Sequence, residues 1–327
     1  MKKFHLTLLV LMLMTAGIPG CRKQPEQATE ELYPIKINLT YIPNIQFAPL
    51  YVAIENGYFA DAGLDVSLNY GNEADLMALV GAGDQRFMIA SGEQVLLSRA
   101  QGLPLVYVAA WYKDYPVGVV SLMDAGIKTP QDLAGKTVGI PGLYGANYIG
   151  FEALRKVAGL EEADLTLNSI GYTQVESLTS HMADAVVIYV ANEPIVLSSL
   201  GYEVNVLRVS DYLDLVGNGL VTNEETIKND PELVQSVVDA LLKGILDCAA
   251  EPDEAFEISK AYVENLVNAD EQTQKAILAA SIDLWQTDKP GYSPYENWGN
   301  MQSLLLEIGL MKAPVELKEA FSNDFVE

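Results

Sequence analysis

Hydrophobic and polar positions follow two spacings along most of the chain. Short runs in which every second position is apolar, such as Ile35 to Tyr41 and Leu64 to Tyr70, predict β-strands. Runs with apolar residues three or four positions apart, such as Pro49 to Phe59, predict amphipathic helices. Strands and helices that alternate in this way are typical of α/β units built on mostly parallel sheets.

The alternation occurs twice. The first series continues through Phe87 to Ala90 and ends with the predicted strand from Leu105 to Ala110. After a short helical segment at Thr129 to Leu133, a second series runs from the strand at Lys136 to Ile140 to the strand at Val204 to Val209. No repeat of individual residues links the two series, so we expect two lobes that share an architecture.

The chain from Glu224 to its end has helical spacing almost throughout, interrupted by prolines. Such helices need a sheet face to cover, and the simplest topology returns them to the first lobe. We therefore predict lobe I as 34–117 and 216–327, and lobe II as 118–215.

Two crossings would then connect the lobes, near Tyr115 to Leu122 and near Asp211 to Val221. Two connecting strands form a hinge, and the space between the lobes forms a cleft.

The first twenty residues differ from the rest. Lys2 and Lys3 precede an apolar run from Leu6 to Ile18, which is shorter than the roughly 20 residues of a membrane span but suits a signal peptide. We predict a secretory signal at 1–20, with a buried N-terminal helix as the alternative.

Residues 18–21, Ile-Pro-Gly-Cys, resemble the bacterial lipoprotein box, in which the cysteine is lipidated. Cys21 would then anchor the protein to the membrane, and the polar segment 21–33 would be a tether. Cys248, the only other cysteine, lies in an apolar helical stretch, where we expect a small buried hydrophobe.

Composition excludes several classes of protein. There are 44 acidic and 20 basic residues, and the net charge of -24 would repel a phosphate backbone, so nucleic acid is not an expected partner. Two histidines and two cysteines exclude zinc fingers, multi-histidine centres and disulfide scaffolds.

The carboxyl ends of the predicted strands hold the candidate ligand-binding residues, since open α/β sheets bind ligands there. Tyrosine outnumbers phenylalanine 17 to 8. Converging aromatic faces stack a flat ring and polar side chains bind its edge, which predicts a planar heterocycle, although each tyrosine alone could simply cap a sheet end. The candidates are Tyr41, Asn44, Gln46, Tyr70, Ser91, Glu93, Gln94, Trp111, Tyr115, Leu143, Tyr144, Tyr148, Tyr172, Tyr189, Asn192 and Glu193.

Among these we expect four aromatic side chains to enclose the ring and four polar ones to bind its edge. The aromatic residues are Tyr41, Trp111, Tyr144 and Tyr189. The polar residues are Asn44, Gln46, Glu93 and Glu193.

The loop from Pro141 to Ala146 joins a predicted strand to a helix. Its backbone N–H groups and the helix end could hold a carbonyl, phosphate or sulfonate oxygen, or the loop could be a simple tight turn. It matches neither the dinucleotide-binding nor the P-loop motif.

The sequence offers no catalytic constellation. His181 lies at the end of a predicted helix, away from the strand ends, and paired acids such as Glu161 and Glu162 flank helix starts. We therefore predict no catalytic residue, no metal and no cofactor.

Several segments together resemble the NMT1/THI5-like (SsuA/THI5-like) solute-binding proteins of ABC importers. The resemblance covers nearly the whole mature chain. It is carried by residues 41–44 (YIPN), 48–53 (APLYVA), 55–59 (ENGYF), 63–66 (GLDV), 91–94 (SGEQ), 130–140 (PQDLAGKTVGI), 184–185, Trp298 and 308–310 (IGL).

The resemblance implies a periplasmic-binding-protein type II fold that closes on a small solute and delivers it to a permease with its ATPase. We expect an extracytoplasmic monomer. The opening from Tyr41 to Pro49 is most similar to that of riboflavin and thiamine-precursor binders.

More than one ligand and more than one class of function remain possible. Pyrimidine binders often have phenylalanine after the first aromatic residue and a histidine shortly afterwards, where this chain has Ile42 and Gln46, which favours riboflavin. The thiamine precursor is one alternative, and sulfonate, taurine or nitrate is another. A thiamine pyrimidine synthase would need a cysteine cluster that this sequence lacks, and a ligand sensor is the remaining possibility.

Overall fold

The computed structural model describes residues 32–326. The predicted signal, Cys21 and the predicted tether up to residue 31 lie outside the described residues. The first strand begins at Tyr33, so the end of the predicted tether belongs to the folded body. Within the described part of the chain, no helix combines the length and apolarity required to cross a membrane.

The strands form two five-stranded sheets. The first sheet contains β1 (Tyr33–Leu39), β2 (Leu64–Tyr70), β3 (Phe87–Ser91), β4 (Leu105–Ala110) and β10 (Asn218–Asn223). The second contains β5 (Val117–Leu122), β6 (Thr137–Ile140), β7 (Thr166–Ser169), β8 (Ala185–Tyr189) and β9 (Val204–Arg208). Their spatial orders, β2-β1-β3-β10-β4 and β7-β6-β8-β5-β9, follow one plan, which confirms the two-lobed α/β fold.

Helices cover both sheets. One predicted helix, from Pro49 to Phe59, is in fact two, because Gly57 between them has a left-handed backbone with φ of 77°. The helices are α1 (Ala48–Glu55), α2 (Tyr58–Asp61), α3 (Glu73–Gly81), α4 (Gly92–Ala100), α5 (Gly145–Ala158), α6 (Gln174–Thr179), α7 (Glu193–Ser199), α8 (Glu224–Asn229), α9 (Pro231–Ala250), α10 (Pro252–Ser259), α11 (Glu271–Trp285), α12 (Tyr295–Glu307) and α13 (Leu317–Ala320).

The core lies on both faces of each sheet. Along β3, Phe87 and Ile89 belong to one hydrophobic cluster, whereas Met88 and Ala90 belong to another. Each cluster includes residues of both sheets. Strands buried on both faces are apolar at nearly every position, which explains the uninterrupted apolar runs in the sequence.

The two crossings between the lobes are themselves strands inside the sheets. β5 lies between β8 and β9, and β10 lies between β3 and β4, each antiparallel to both neighbours. Both sheets are therefore mixed, but the other four strands of each sheet run in one direction, so the prediction of mostly parallel sheets is confirmed except at β5 and β10. The reason is that β5 and β10 enter from the other lobe and run against the direction of the βα units. The exact lobe boundaries, after residue 117 and before residue 216, stay a prediction.

Two glycines allow close packing where the chain comes back to the first lobe, one in β10 and one in α9. A Cβ on Gly219 of β10 would overlap the ring of Tyr107, whose hydroxyl donates to the Asn218 carbonyl at 3.1 Å. A Cβ on Gly244 of α9 would overlap the carbonyl of Pro49 in α1. Helix α9 therefore packs directly on α1, and α13 contacts β4; the assignment of residues 216–327 to lobe I stays a prediction.

Candidate functional site

A cavity of about 700 Å³ lies at the carboxyl ends of the strands of both sheets. Its lining comes from the loops after β1, β2, β4 and β6, from the starts of α3 to α7, and from the start of β10. Eleven of the sixteen candidate residues meet there. They are Tyr41, Gln46, Tyr70, Ser91, Gln94, Trp111, Tyr144, Tyr172, Tyr189, Asn192 and Glu193.

The inner wall of the cavity, which we define as Phe47, Tyr70, Trp111 and Tyr112, belongs to the first lobe. The Phe47 ring meets Trp111 edge-on at 6.1 Å and Tyr70 at 6.2 Å between centroids. Behind the wall, Trp285 of α11 meets Trp111 at 6.0 Å. These mutual contacts hold the aromatic faces in place before any ligand arrives.

The outer rim, which we define as Tyr41, Ile42, Tyr144 and Tyr172, includes residues of both lobes. Tyr144 and Tyr172 of the second lobe are 68% and 67% exposed. Tyr41 of the first lobe contacts Tyr172 across the mouth, with 5.9 Å between ring centroids. The rim therefore connects the lobes through a single aromatic contact that solvent surrounds.

Two carboxyl groups face the cavity. Glu73, the first residue of α3, accepts hydrogen bonds from the Ser91 backbone N–H at 3.0 Å and from the Ser91 hydroxyl at 2.9 Å. Glu193, the first residue of α7, accepts one from the Tyr189 N–H at 3.1 Å. Burial raises the pKa of Glu73, and it raises the pKa of Glu193 to about 7.

Glu93 lies behind the cavity rather than in its lining. It is fully buried at the start of α4, and neither carboxyl oxygen has a hydrogen-bond partner among the described residues. Burial, reinforced by the charge of Glu73, raises the pKa of Glu93 to about 8. The role of binding the ligand edge, which we expected for Glu93, therefore has no geometric support.

Four further candidates do not line the cavity. The Asn44 side chain accepts a bond from the Gln46 N–H at 2.9 Å and caps a 3-10 turn. Tyr115 is buried, and its hydroxyl donates to the Ala146 carbonyl at 2.9 Å. Leu143 is exposed on the loop, and Tyr148 packs against the core from α5. Asn44, Leu143 and Tyr148 each lie next to a residue that does line the cavity, namely Pro43, Tyr144 and Asn147, respectively.

The polar residues of the lining that sequence reasoning missed include Glu73, Asn147, Gln174 and Asn218. The first three lie in the first turn of a helix that follows a strand. Acids and amides are common at the start of any helix, so their presence there does not by itself indicate a binding site. The position of the helix directly after a strand end was the signal that could have found them. Asn218 is the first residue of β10, in the predicted crossing from Asp211 to Val221, which was not considered as a source of ligand-binding residues.

Several polar atoms of the cavity lining are buried without a hydrogen-bond partner in the described structure. They are Gln46 Nε2, Trp111 Nε1, Asn147 Oδ1 and Asn218 Oδ1. A buried polar group without a partner destabilises a protein by about 1 to 3 kcal/mol, so such groups are uncommon outside functional sites. A ligand with its own donors and acceptors would satisfy them.

The remaining chemistry of the site is simple. Among the described residues, no lysine, arginine or histidine lines the cavity. His181 lies on an exposed turn after α6, and Cys248 is buried in α9, as predicted. The same residues contain no cluster of three or more side chains suited to a metal ion. The arrangement can stack a flat ring and bind its edge without covalent chemistry.

Two mixed α/β lobes around a cleft define the periplasmic binding-protein fold. The solved structure of the periplasmic aliphatic sulphonate binding protein SsuA from Escherichia coli superimposes with a TM-score of 0.71 at 13% identity. The alignment covers 89% of this chain and 92% of that one.

The chain belongs to the NMT1/THI5-like family, whose family model matches residues 44–255. It is 34% identical to the riboflavin-binding protein RibY of Chloroflexus aurantiacus, over 98% of this chain and 96% of the relative. It is 30% identical to the formylaminopyrimidine-binding protein of Halalkalibacterium halodurans, over 99% of both.

One relative is named as an enzyme. The 4-amino-5-hydroxymethyl-2-methylpyrimidine phosphate synthase of Legionella pneumophila is 24% identical over 68% of this chain and 72% of its own length.

Proposed function

We propose that this protein is the solute-binding component of an ABC importer and that it binds an uncharged heteroaromatic compound, riboflavin in the first instance. The observation that carries the proposal is the composition of the cavity. It combines a packed aromatic inner wall with two carboxyl groups, and its described lining contains no basic side chain. Family membership and the name of RibY point to the same class of ligand.

Each part of the cavity suits one part of such a ligand. The inner wall offers faces on which a ring system can stack. The carboxyl groups of Glu73 and Glu193 accept hydrogen bonds from ring N–H or amino groups. The unpartnered N–H groups of Gln46 and Trp111 can donate to ring carbonyls.

The size of the cavity favours several fused rings over one. Its volume of about 700 Å³ lies in the upper half of the range of roughly 300 to 1,000 Å³ that is usual for ligand pockets. A three-ring flavin with its polyol chain would fill more of this space than a single pyrimidine ring would.

A formylaminopyrimidine or related thiamine precursor is the second candidate. It is favoured by the two carboxyl groups, which suit amino groups on a pyrimidine, and by the relative from Halalkalibacterium halodurans. Sulfonate, taurine and nitrate are disfavoured, because the described lining contains no cation to pair with a small anion. We propose binding rather than catalysis for this chain, because the two relatives that it matches over nearly their whole length are named as binding proteins.

The remaining expectations belong to the same proposal. Secretion through the signal at 1–20, a lipid anchor at Cys21 and a monomeric state agree with a receptor that serves a permease and its ATPase. A permease gene next to this one would favour the importer, whereas a neighbouring kinase gene would favour a sensor.

The test is a titration of the purified, ligand-free protein with riboflavin, followed by flavin fluorescence. We expect strong quenching with a submicromolar Kd, because a stacked flavin loses its emission. Calorimetry with formylaminopyrimidine and with an alkanesulfonate completes the set. Heat from the pyrimidine without flavin quenching would assign the protein to thiamine salvage, and binding of the sulfonate alone would contradict the proposal.

A further inference from the structure

Three polar atoms at or beside the inner wall are buried and have no hydrogen-bond partner among the described residues. They are Trp111 Nε1, Gln46 Nε2 and Asn218 Oδ1. The first two are N–H donors and the third is a carbonyl acceptor. Because unpaired buried groups destabilise a protein, a ligand that supplies two acceptors and one donor is favoured at this place.

The three residues are neighbours in the fold. The backbone carbonyl of Asn218 accepts hydrogen bonds from the backbone N–H groups of Trp111 and Tyr112, both at 3.1 Å. Gln46 directly precedes Phe47, whose ring centroid lies 6.1 Å from that of Trp111. All three side chains line the same cavity, so one ligand can contact them together.

The backbone that carries these side chains is held in place without a ligand. Asn218 starts β10 and pairs with Ser91 of β3. The backbone N–H of Gln46 donates to the Asn44 side chain at 2.9 Å. Trp111 is only 2% exposed. Little conformational freedom is lost when a ligand binds to groups that are already positioned, so their pattern of donors and acceptors contributes to specificity.

The indole of Trp111 sets the strictest requirement. An indole N–H can only donate, whereas the side-chain amides of Gln46 and Asn218 each carry a donor and an acceptor. The ligand atom that meets Trp111 is therefore an acceptor, such as a ring carbonyl oxygen. The two amides then suit a second carbonyl and an N–H group. All three side chains are uncharged, so this recognition does not depend on the protonation of the two carboxyl groups in the cavity.

We propose that Trp111, Gln46 and Asn218 recognise an imide edge, in which a ring N–H lies between two ring carbonyl groups. The inference rests on the proposed function, because it names the chemical group that the same site selects. The dione ring of a flavin has such an edge, whereas an aminopyrimidine ring has an amino group and ring nitrogens but no ring carbonyl. A site built to bind a particular N–H or C=O group rejects analogues without it, because its own buried groups are then left unpaired.

The experiment compares riboflavin with 3-methylriboflavin, in which a methyl group replaces the hydrogen of the imide N–H. The two compounds share the carbonyl groups, the ring system and the polyol chain, and flavin fluorescence on the full chain reports the binding of both. We expect the methylated compound to bind more weakly by about tenfold or more, because it leaves the Asn218 acceptor unpaired. Equal affinity would overturn the inference.

Asn218→Leu tests whether the methyl group acts through the proposed acceptor. This variant should bind riboflavin more weakly and 3-methylriboflavin almost as before, so the ratio of the two affinities should approach one. Asn205→Leu is the matched control, because Asn205 also has a buried side-chain nitrogen without a partner but lies in β9, outside the lining. It should keep the wild-type ratio. A wild-type ratio in Asn218→Leu would overturn the inference, because the methyl group would then act by its size alone.

Trp111→Phe tests the donor, since it keeps an aromatic ring and removes the N–H. It should weaken the binding of both flavins by about tenfold and to the same extent, because both retain the carbonyl groups. Trp298→Phe makes the same change at a buried indole whose N–H donates to the Ser293 hydroxyl at 2.8 Å, outside the lining, and should leave both affinities unchanged. Unchanged flavin binding in Trp111→Phe would contradict the role of the indole N–H.

The possible failures are separable. Binding of neither riboflavin nor formylaminopyrimidine would overturn the proposed function and this inference with it. Binding of formylaminopyrimidine alone would leave an importer of a heteroaromatic compound and overturn the inference. Tight riboflavin binding with equal affinity for 3-methylriboflavin would leave the proposed function standing and overturn only the inference.

Discussion

The inner wall and the outer rim of the cleft are both aromatic, yet they differ in how they are held. In the inner wall, Trp111 and Tyr112 are only 2% and 7% exposed, and both pack against Trp285. In the outer rim, Tyr144 and Tyr172 are about two-thirds exposed. The aromatic side chains of the first lobe are therefore held in place by their packing, whereas Tyr144 and Tyr172 of the second lobe are largely exposed to solvent.

This difference implies an order of events in binding. A ring that stacks on the inner wall needs little rearrangement of the first lobe, since its partners are already packed. Contact of the ligand with Tyr144 and Tyr172 then stabilises the state in which the second lobe has closed over it. We expect the inner wall to determine stability and binding together, and the rim to determine binding alone.

Trp111→Ala tests the inner wall and should have the largest effect. Removing this buried indole should lower the free energy of unfolding by about 3 to 5 kcal/mol and abolish measurable riboflavin binding. Trp298→Ala is the matched control, because Trp298 is equally buried but packs against Phe321, away from the cavity. Chemical denaturation and flavin fluorescence should show loss of stability in both variants and loss of binding only in the first.

Tyr144→Ala and Tyr172→Ala test the rim. Each should weaken binding by about 1 to 3 kcal/mol, by analogy with bases stacked on aromatic side chains, and leave stability within about 0.5 kcal/mol. Tyr295→Ala, at an exposed tyrosine of α12 outside the lining, is the control and should change neither. A large loss of stability in a rim variant would remove the distinction between rim and wall.

Stability should also depend on pH through the acids behind and beside the wall. The pKa of Glu93 is raised from 4.5 to about 8, and that of Glu193 from 4.5 to about 7. At a pH between the ordinary value of 4.5 and the raised pKa of each acid, the folded protein holds a proton that the unfolded chain has released. The free energy of unfolding should therefore fall as pH rises from about 4.5 to about 8.

Glu93→Gln should flatten this fall up to pH 8 and raise the free energy of unfolding there by on the order of 1 kcal/mol or more. Glu193→Gln should flatten it only up to about pH 7. Denaturant titrations at four pH values between 5 and 8.5 would measure both slopes. A stability that rises over this range in the wild type and is unaffected by Glu93→Gln would contradict the assignment.

The smallest effect concerns a single hydroxyl. Tyr70→Phe removes the contact between the Tyr70 and Tyr51 hydroxyls at 3.1 Å, and we expect a loss of stability of about 1 kcal/mol with stacking preserved. Tyr172→Phe, in the rim, should change stability by no more than a few tenths of a kcal/mol. Thermal unfolding of the two variants side by side would compare them directly.

The sequence allowed prediction of most elements, because strands buried on both faces and amphipathic helices have distinct spacings. The prediction that ligands bind at the strand ends named Tyr41, Trp111 and Tyr189 together, and these three residues line one cavity. The crossings were predicted as connecting strands, but their places inside the two sheets were not, since the neighbours of a strand are set by topology rather than by its own residues.

The polar part of the site was harder to predict. Glu93 and Glu193 both follow a strand at the start of a helix, yet one is buried behind the cavity and the other lines it. The rotation of each helix about its axis decides this, and that rotation depends on packing partners far away in the sequence.

The interleaved position of β10 has a consequence for the order in which the chain folds during synthesis. All strands of the second sheet lie between residues 117 and 208, whereas β3 and β4 of the first sheet are joined only through β10, at residues 218–223. The second lobe can complete its hydrogen bonding as soon as its last strand emerges. The first lobe, although its sequence is made earlier, must wait for β10 and for the helices that cover it, so the N-terminal half of the cleft is finished last.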